Sequence, residues 1–168
     1  GALPHRALIQ RLQTGAFAGI WAGWVASTLP FYPAGWTPAL AAGAAGVHLG
    51  ETSLPVETVE EWRRSAGQME FQIGVSCHSI EAARAAERGG ADYIFFGPVF
   101  ATPSKAAYGA PQGIERLREV CAGVSIPVLA IGGLNLENAS SCIEAGAAGI
   151  AAIRLFQEFR DVAGLLRK

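Results

Sequence analysis

From residue 39 onward the chain alternates short apolar runs with amphipathic stretches, and that rhythm leaves few folds open. The apolar runs are Gly46–Leu49, Phe71–Val75, Tyr93–Phe96, Pro127–Ile131 and Gly149–Ile153. Between them, Val56–Ser65, Ile80–Arg88, Gly113–Cys121 and Leu136–Ala145 carry apolar side chains at helical spacing, as with Ile114, Leu117, Val120 and Cys121. A final helix is predicted over Phe156–Leu166. Ser79 and Asn135 stand where N-caps belong.

An internal repeat has the same period. Gly43-Ala44-Ala45-Gly46-Val47, Gly90-Ala91-Asp92-Tyr93-Ile94 and Gly146-Ala147-Ala148-Gly149-Ile150 share one form. A glycine ends a helix, small residues allow a close turn, and an apolar residue enters the next strand. Each interval between copies holds two βα units of roughly 25 residues.

Repeated βα units with apolar strands mean a parallel sheet covered by helices. The choice lies between a (β/α)8 barrel and an open doubly wound sheet. Polar groups follow nearly every strand: His48 and Glu51, Ser76 and His78, Thr102 to Lys105, Gly132 and Gly133, then Arg154. A barrel gathers all these strand ends at one mouth, whereas an open sheet spreads them along an edge. The α/β class is therefore read as a TIM-type (β/α)8 barrel. The rhythmic part supplies five strands, and fewer than forty residues precede it. Pro4–Gln13 reads as one helix and Ala18–Val25 as one poor strand. Residues 26–38 hold three prolines and read as irregular chain. One barrel domain over residues 1–168 is expected, incomplete at its N-terminus and degenerate over 1–38.

Composition excludes several functions. Of 168 residues, 51% are hydrophobic and 16% charged, and the formal net charge is −1. No basic cluster offers a nucleic-acid surface, since basic residues interleave with acids, as in Glu60-Glu61-Trp62-Arg63-Arg64. Gly15–Val25 is apolar and follows Arg6 and Arg11, a loose likeness to a secretory leader. It falls short of the ~20 residues of a spanning helix and is soon broken by Pro30 and Pro33. No membrane partner is expected. Three cysteines (Cys77, Cys121 and Cys142), none in a CxxC pair, indicate neither a disulfide framework nor a zinc site. They suit a reducing, cytoplasmic setting. Trp21, Trp24 and Trp36 would form an adhesive patch if exposed, which would make either a homo-oligomer such as a dimer or an aggregation hazard.

The chemistry concentrates at Phe96-Gly97-Pro98-Val99-Phe100-Ala101-Thr102-Pro103-Ser104-Lys105. An apolar strand breaks at Gly-Pro and yields to two hydroxyls and an ammonium. Thr102 and Ser104 can donate hydrogen bonds to phosphoryl oxygens, and Lys105 can neutralise their charge. A turn alone would need the glycine and proline but not the rest. Ile131-Gly132-Gly133-Leu134 supports a phosphate site, because two glycines after a strand expose backbone N–H groups to an anion.

Gly46-Val47-His48-Leu49-Gly50, Gly74-Val75-Ser76-Cys77-His78-Ser79, Gly97 to Lys105 and Ala130-Ile131-Gly132-Gly133 occur in order. Together they resemble the thiamine-phosphate synthase family, which includes the TenI-type thiazole tautomerases, over about residues 39–155. The resemblance implies a (β/α)8 barrel that joins hydroxymethylpyrimidine diphosphate to thiazole phosphate with release of pyrophosphate. Ser76 would then lie beside the pyrimidine diphosphate. Thr102 and Ser104 would bond the phosphates, and Lys105 would offset the charge of the leaving pyrophosphate. Gly132 and Gly133, with the N–H groups of Ile153 and Arg154, would hold the thiazole phosphate. A dissociative reaction of this type needs charge neutralisation and positioning more than a strong base.

The resemblance also implies Mg²⁺, and here the chain departs from it. The family's Gln-x-Arg-x-Lys motif is matched by Trp24-Val25-Ala26-Ser27-Thr28, without charge. The family's Asn-Asp-Arg is matched by Tyr32-Pro33-Ala34-Gly35-Trp36, and Ser53 stands where a second aspartate is expected. With both carboxylate ligands gone, affinity for the ion should fall. A tautomerase activity is the alternative, with His78 as acid and base, since histidine suits proton transfer near neutral pH. A phosphate-binding relative without turnover is a third reading. A deletion or frame error before residue 39 is a further account of the departures. His48 reads as a structural residue packed at the barrel mouth.

Overall fold

The computed structural model describes residues 45–50, 53–101 and 110–152. Within them five strands form one parallel sheet: β1 (Gly46–Leu49), β2 (Gln72–Cys77), β3 (Tyr93–Phe96), β4 (Val128–Ile131) and β5 (Gly149–Ala151). Four helices connect them: α1 (Val56–Ser65), α2 (Ile80–Gly89), α3 (Gly113–Gly123) and α4 (Ala139–Glu144). The strand order is β1-β2-β3-β4-β5, each strand pairing with its sequence neighbour in parallel. No order reversal occurs among them, as a barrel requires and a doubly wound sheet does not.

The pleat sorts side chains onto two faces. Val47, Leu49, Ile73, Val75, Cys77, Ile94, Phe96, Val128 and Ala130 share one apolar cluster with Val59, Ala83, Ala86, Leu117, Val120 and Cys142 of the helices. The four helices therefore cover one face. Ile73, Ile94, Phe96 and Leu117 are fully buried there, each worth about 1.5–3 kcal/mol relative to exposure. His48, Tyr93 and Leu129 are also buried, but outside this cluster. They belong to the opposite, inner face with Gly46, Gly74, Ser76, Phe95 and Ile131.

Local signals explain the elements. Ser79 caps α2 by accepting the Ala82 N–H at 3.1 Å. The repeat glycines Gly90 and Gly146 take φ of +99° and +101° where α2 and α4 end. The fourth helix differs from expectation. Asn135 Oδ1 does accept backbone N–H groups, from Glu137 and Asn138 at 2.9 Å each, but residues 136–138 form turns and regular helix begins at Ala139. Asn138 turns back to donate to Gly133 O at 3.0 Å. Predicted elements before residue 45 and after residue 152 lie outside the described residues.

The N-terminal end of the sheet is pinned by one buried arginine. Arg63 of α1 donates to Phe71 O at 3.0 Å, Gly90 O at 3.2 Å and Asp92 Oδ2 at 2.6 Å, and its Nε donates to Glu60 Oε2 at 2.6 Å. Asp92 also accepts the Ile73 N–H at 2.7 Å. Burial raises the Asp92 carboxyl pKa despite the opposing pull of that N–H and of Arg63. This cluster holds the entry to β2 and β3, the end of a barrel that serves stability.

Candidate active site

The opposite, C-terminal end of the sheet carries the four sequence-predicted residues that are described: Ser76, His78, Gly132 and Gly133. Ser76 lies one residue from the end of β2, His78 just past it, and Gly132-Gly133 just past β4. Strand β3, which leads to the Gly97–Lys105 stretch, runs between them. Thr102, Ser104 and Lys105, in the loop expected from the sequence, fall between Ala101 and Ala110 and lie outside the described residues. Ile153 and Arg154 do as well.

The base of that loop is built like a continued ladder. Val99 N–H donates to Ile131 O at 2.9 Å and Phe100 N–H to Gly132 O at 3.0 Å. On return, Gln112 N–H meets Pro98 O at 2.8 Å and Gly113 N–H meets Val99 O at 2.9 Å. The Gly97–Pro98 peptide is cis. Gly132 and Gly133 take φ of +96° and +65°. A β-carbon at 132 would lie 2.6 Å from Pro98 Cβ, and one at 133 would lie 2.6 Å from the carbonyl oxygens of Phe100 and Ala101. Only glycines allow this turn to sit against the loop base. Its N–H groups make no backbone hydrogen bond among the described residues, so the turn can receive an anion.

His78 Nδ1 is hydrogen-bonded to the Gly97 carbonyl, tying the end of β2 to the end of β3. Since a carbonyl only accepts, Nδ1 is the donor in this bond.

The inner face holds a polar chain that the sequence reading did not assemble. His48 Nε2 lies 2.9 Å from Ser76 Oγ, and His48 Nδ1 lies 3.3 Å from the Tyr93 hydroxyl oxygen. Gly74 pairs with both His48 and Tyr93 across the ladder. The Tyr93 ring passes over Gly74 to reach His48, where a β-carbon would lie 2.1 Å from Tyr93 Cζ. Phe95 closes the group, its ring 4.5 Å from that of His48 and 5.6 Å from that of Tyr93. Burial lowers the His48 pKa to about 4, so the ring is neutral. Burial, with Asp92 nearby, raises the Tyr93 pKa and keeps the phenol protonated. His48 thus packs as expected of a structural residue, but it also touches the serine singled out for chemistry. The available signal was parity: Gly46 and His48, Gly74 and Ser76, Tyr93 and Phe95 each alternate onto one face.

Among the described residues no donor set fits a divalent cation. The hydroxyl of Ser53, which stands where the resemblance expects an aspartate, accepts the Gly50 N–H at 2.8 Å and closes a turn after β1. Among the described residues no three His, Cys, Asp or Glu side chains group to hold a metal. Tyr32–Trp36 and Trp24–Thr28, the segments matched to the family's other charged motifs, lie outside the described residues. Cys77 is buried in the apolar cluster, and burial pushes the Cys121 thiol up to about 11.

Comparison with known proteins decides the family. The family model described as thiamine monophosphate synthase matches residues 34–156. The chain belongs to this family. A thiamine-phosphate synthase of Methanocella arvoryzae is 46% identical over 129 residues, covering 77% of this chain and 59% of that protein. One from a Roseiflexus species is 48% identical over 115 residues, covering 68% and 47%. Among solved structures, the thiamine phosphate pyrophosphorylase of Pyrococcus furiosus superposes with a TM-score of 0.59 at 39% identity, covering 70% of this chain and 52% of that one. FabK of Thermotoga maritima, at 18% identity and a TM-score of 0.57, shares the fold alone. The chain spans about half the length of the family relatives it matches.

Proposed function

We propose that this chain carries the phosphate-binding and Ser76-bearing part of a thiamine-phosphate synthase site. The reaction joins hydroxymethylpyrimidine diphosphate to thiazole phosphate. The C–O bond to pyrophosphate breaks, and the thiazole nitrogen forms the new C–N bond at the same methylene carbon. One observation carries this reading: at one end of a parallel sheet, Ser76 and the Gly132-Gly133 turn flank the end of β3, where Gly97–Ala101 leads toward Thr102, Ser104 and Lys105 in sequence. Ser76 hydrogen-bonds the diphosphate. Thr102 and Ser104 orient the phosphates, and Lys105 offsets charge on the leaving pyrophosphate. Gly132 and Gly133, with the N–H groups of Ile153 and Arg154, receive the thiazole phosphate. Fixed donors aimed at developing charge suit a dissociative displacement, which asks for little proton transfer.

The family relationship would supply Mg²⁺, an ion that screens diphosphate charge. The residues described do not match its usual carboxylate donors, so no step is assigned to it. Three thiols without a disulfide among the described cysteines fit a reducing cytoplasm, and among the described residues no helix is long and apolar enough to cross a membrane.

The test is formation of thiamine phosphate by the purified chain from the two precursors, with and without Mg²⁺, compared with Ser76→Ala and Lys105→Ala. Product formation that falls about 100-fold or more in both variants supports the synthase reading. A second reading draws on His78, whose ring is oriented by Gly97. In that reading His78 moves a proton in thiazole phosphate tautomerisation. No thiamine phosphate, together with an isomerisation abolished by His78→Ala, would favour it. Binding of thiazole phosphate without turnover in either assay would favour a phosphate-binding role alone.

A further inference from the structure

We infer that Tyr93 and His48 are positioning residues that fix the polarity of the Ser76 hydroxyl, so that its proton is presented to an anionic ligand. This rests on the reading of Ser76 as a ligand-binding residue. It goes beyond that reading in naming what orients Ser76.

Hydrogen-bond accounting fixes the direction of the chain. A neutral imidazole has one donor and one acceptor nitrogen. Tyr93 Oη is buried, and among the described residues His48 Nδ1 is the polar partner it meets. If Nδ1–H donated to the phenol, the phenolic proton would be left buried with no acceptor among the described residues, an expensive arrangement. Tyr93 O–H therefore donates to Nδ1, which places the ring proton on Nε2. Nε2–H then donates to Ser76 Oγ across 2.9 Å. With one lone pair occupied by this N–H, the Ser76 O–H is turned away from His48 as a donor. Ser76 is only half-buried, toward the strand end, whereas His48 and Tyr93 are 4% and 1% exposed. The relay runs from the closed interior to the open end. Its direction suits phosphoryl oxygens, which only accept.

The geometry also explains two residue choices. Phenylalanine at 93 would fill the same space but could not donate. Any side chain at 74 would block Tyr93 from His48.

The experiment has two parts, both on the full chain. The first is ¹⁵N NMR of the histidine rings, which reads the tautomer directly. The expected result is an Nε2–H tautomer for His48, assigned by its loss in His48→Gln, and an altered tautomer population in Tyr93→Phe. An Nδ1–H tautomer in the unmodified chain overturns the inference. The second is calorimetric binding of inorganic pyrophosphate. Tyr93→Phe and Ser76→Ala should each weaken it about 5- to 10-fold, with the double variant no weaker than either alone. His48→Gln retains an N–H near the Nε2 position and should stay within about 3-fold of the parent, whereas His48→Leu should not. Independent, multiplicative losses overturn the inference, and so does pyrophosphate binding indifferent to Tyr93→Phe. Where a variant fails to fold, the tautomer of the unmodified chain still decides. An Nε2–H tautomer with coupled binding losses but no thiamine phosphate formed would retain the relay and reject the synthase reading, so the two can fail separately.

Discussion

Gly74 of β2 lies directly beneath the ring of Tyr93 from β3, so closely that a β-carbon at 74 would stand 2.1 Å from Tyr93 Cζ and 2.4 Å from its hydroxyl oxygen. The two residues are register partners on adjacent strands. The larger one is accommodated by the absence of a side chain on the smaller.

Gly74→Ala should therefore destabilise the chain by about 1–3 kcal/mol through overpacking. Tyr93→Ala should be destabilising as well, through the cavity it leaves. Combined, the two should cost less than their sum, because removing the ring relieves the clash. Urea unfolding of the two single variants and the double would measure the coupling. Strict additivity would place the ring elsewhere.

Stability should fall as pH is lowered from about 6.5 to about 4 because of His48. Burial lowers its folded-state pKa to about 4 from an ordinary 6.5. Between those values the unfolded chain binds a proton here that the folded chain refuses, so stability rises with pH across this window. The full difference is about 3 kcal/mol, present above pH 6.5 and lost near pH 4. His48→Gln should flatten this part of the curve. Denaturant midpoints at half-unit pH steps, for parent and variant, give the comparison. An equal slope in both would assign the effect to another group.

Arg63 and Arg118 are both ion-paired, yet their removal should differ by severalfold. Arg63 is 6% exposed, and its loss leaves Glu60 and Asp92 without a buried cation. Arg63→Met should cost about 3–5 kcal/mol. Arg118 pairs with Glu115 at 2.5 Å on an exposed face of α3. Arg118→Met should change stability by no more than about 0.5 kcal/mol. Similar losses for both would contradict the role given to the Arg63 cluster.

Two substitutions at the loop end should separate binding from architecture. Lys105→Ala should weaken inorganic pyrophosphate binding about 10-fold while the thermal midpoint stays within a degree or two of the parent, because a lost charge contact to an anion does not touch the apolar cluster. Gly133→Ala should reduce both. It forces alanine to φ near +65° and drives a methyl group toward two carbonyl oxygens, a strain of about 1–3 kcal/mol. An unfolded Lys105→Ala with normal anion affinity would make that loop structural.

The secondary structure was largely legible because its signals are local. Val56–Ser65 appears as predicted, and Tyr93–Phe96 and Gly46–Leu49 likewise. Each is bounded by residues whose effect does not depend on a distant partner. Elements shifted where side chains had competing partners. Asn138 is such a case: its amide nitrogen reaches back to Gly133, and α4 begins only after it. Barrel-type strand order was anticipated from polar residues at strand ends, and the five consecutive parallel strands agree with it. The Tyr93–His48–Ser76 chain was not anticipated. It joins residues 45 and 28 positions apart, and nothing local to His48 says which side chains its ring will meet. Residue parity along the strands placed all three on one face, but lateral proximity needed the ladder.

Because each strand here bonds to the one that follows it, the chain rarely has to travel far to make its next contact. Neighbouring βα modules can zip on one after another, so closure of long loops is seldom needed before the interior begins to form. A cut in the connection between β3 and β4 would divide the five described strands across a single ladder. Both pieces would keep their own strand–helix pairings, which makes that junction the natural place to split, shuffle or recombine the protein.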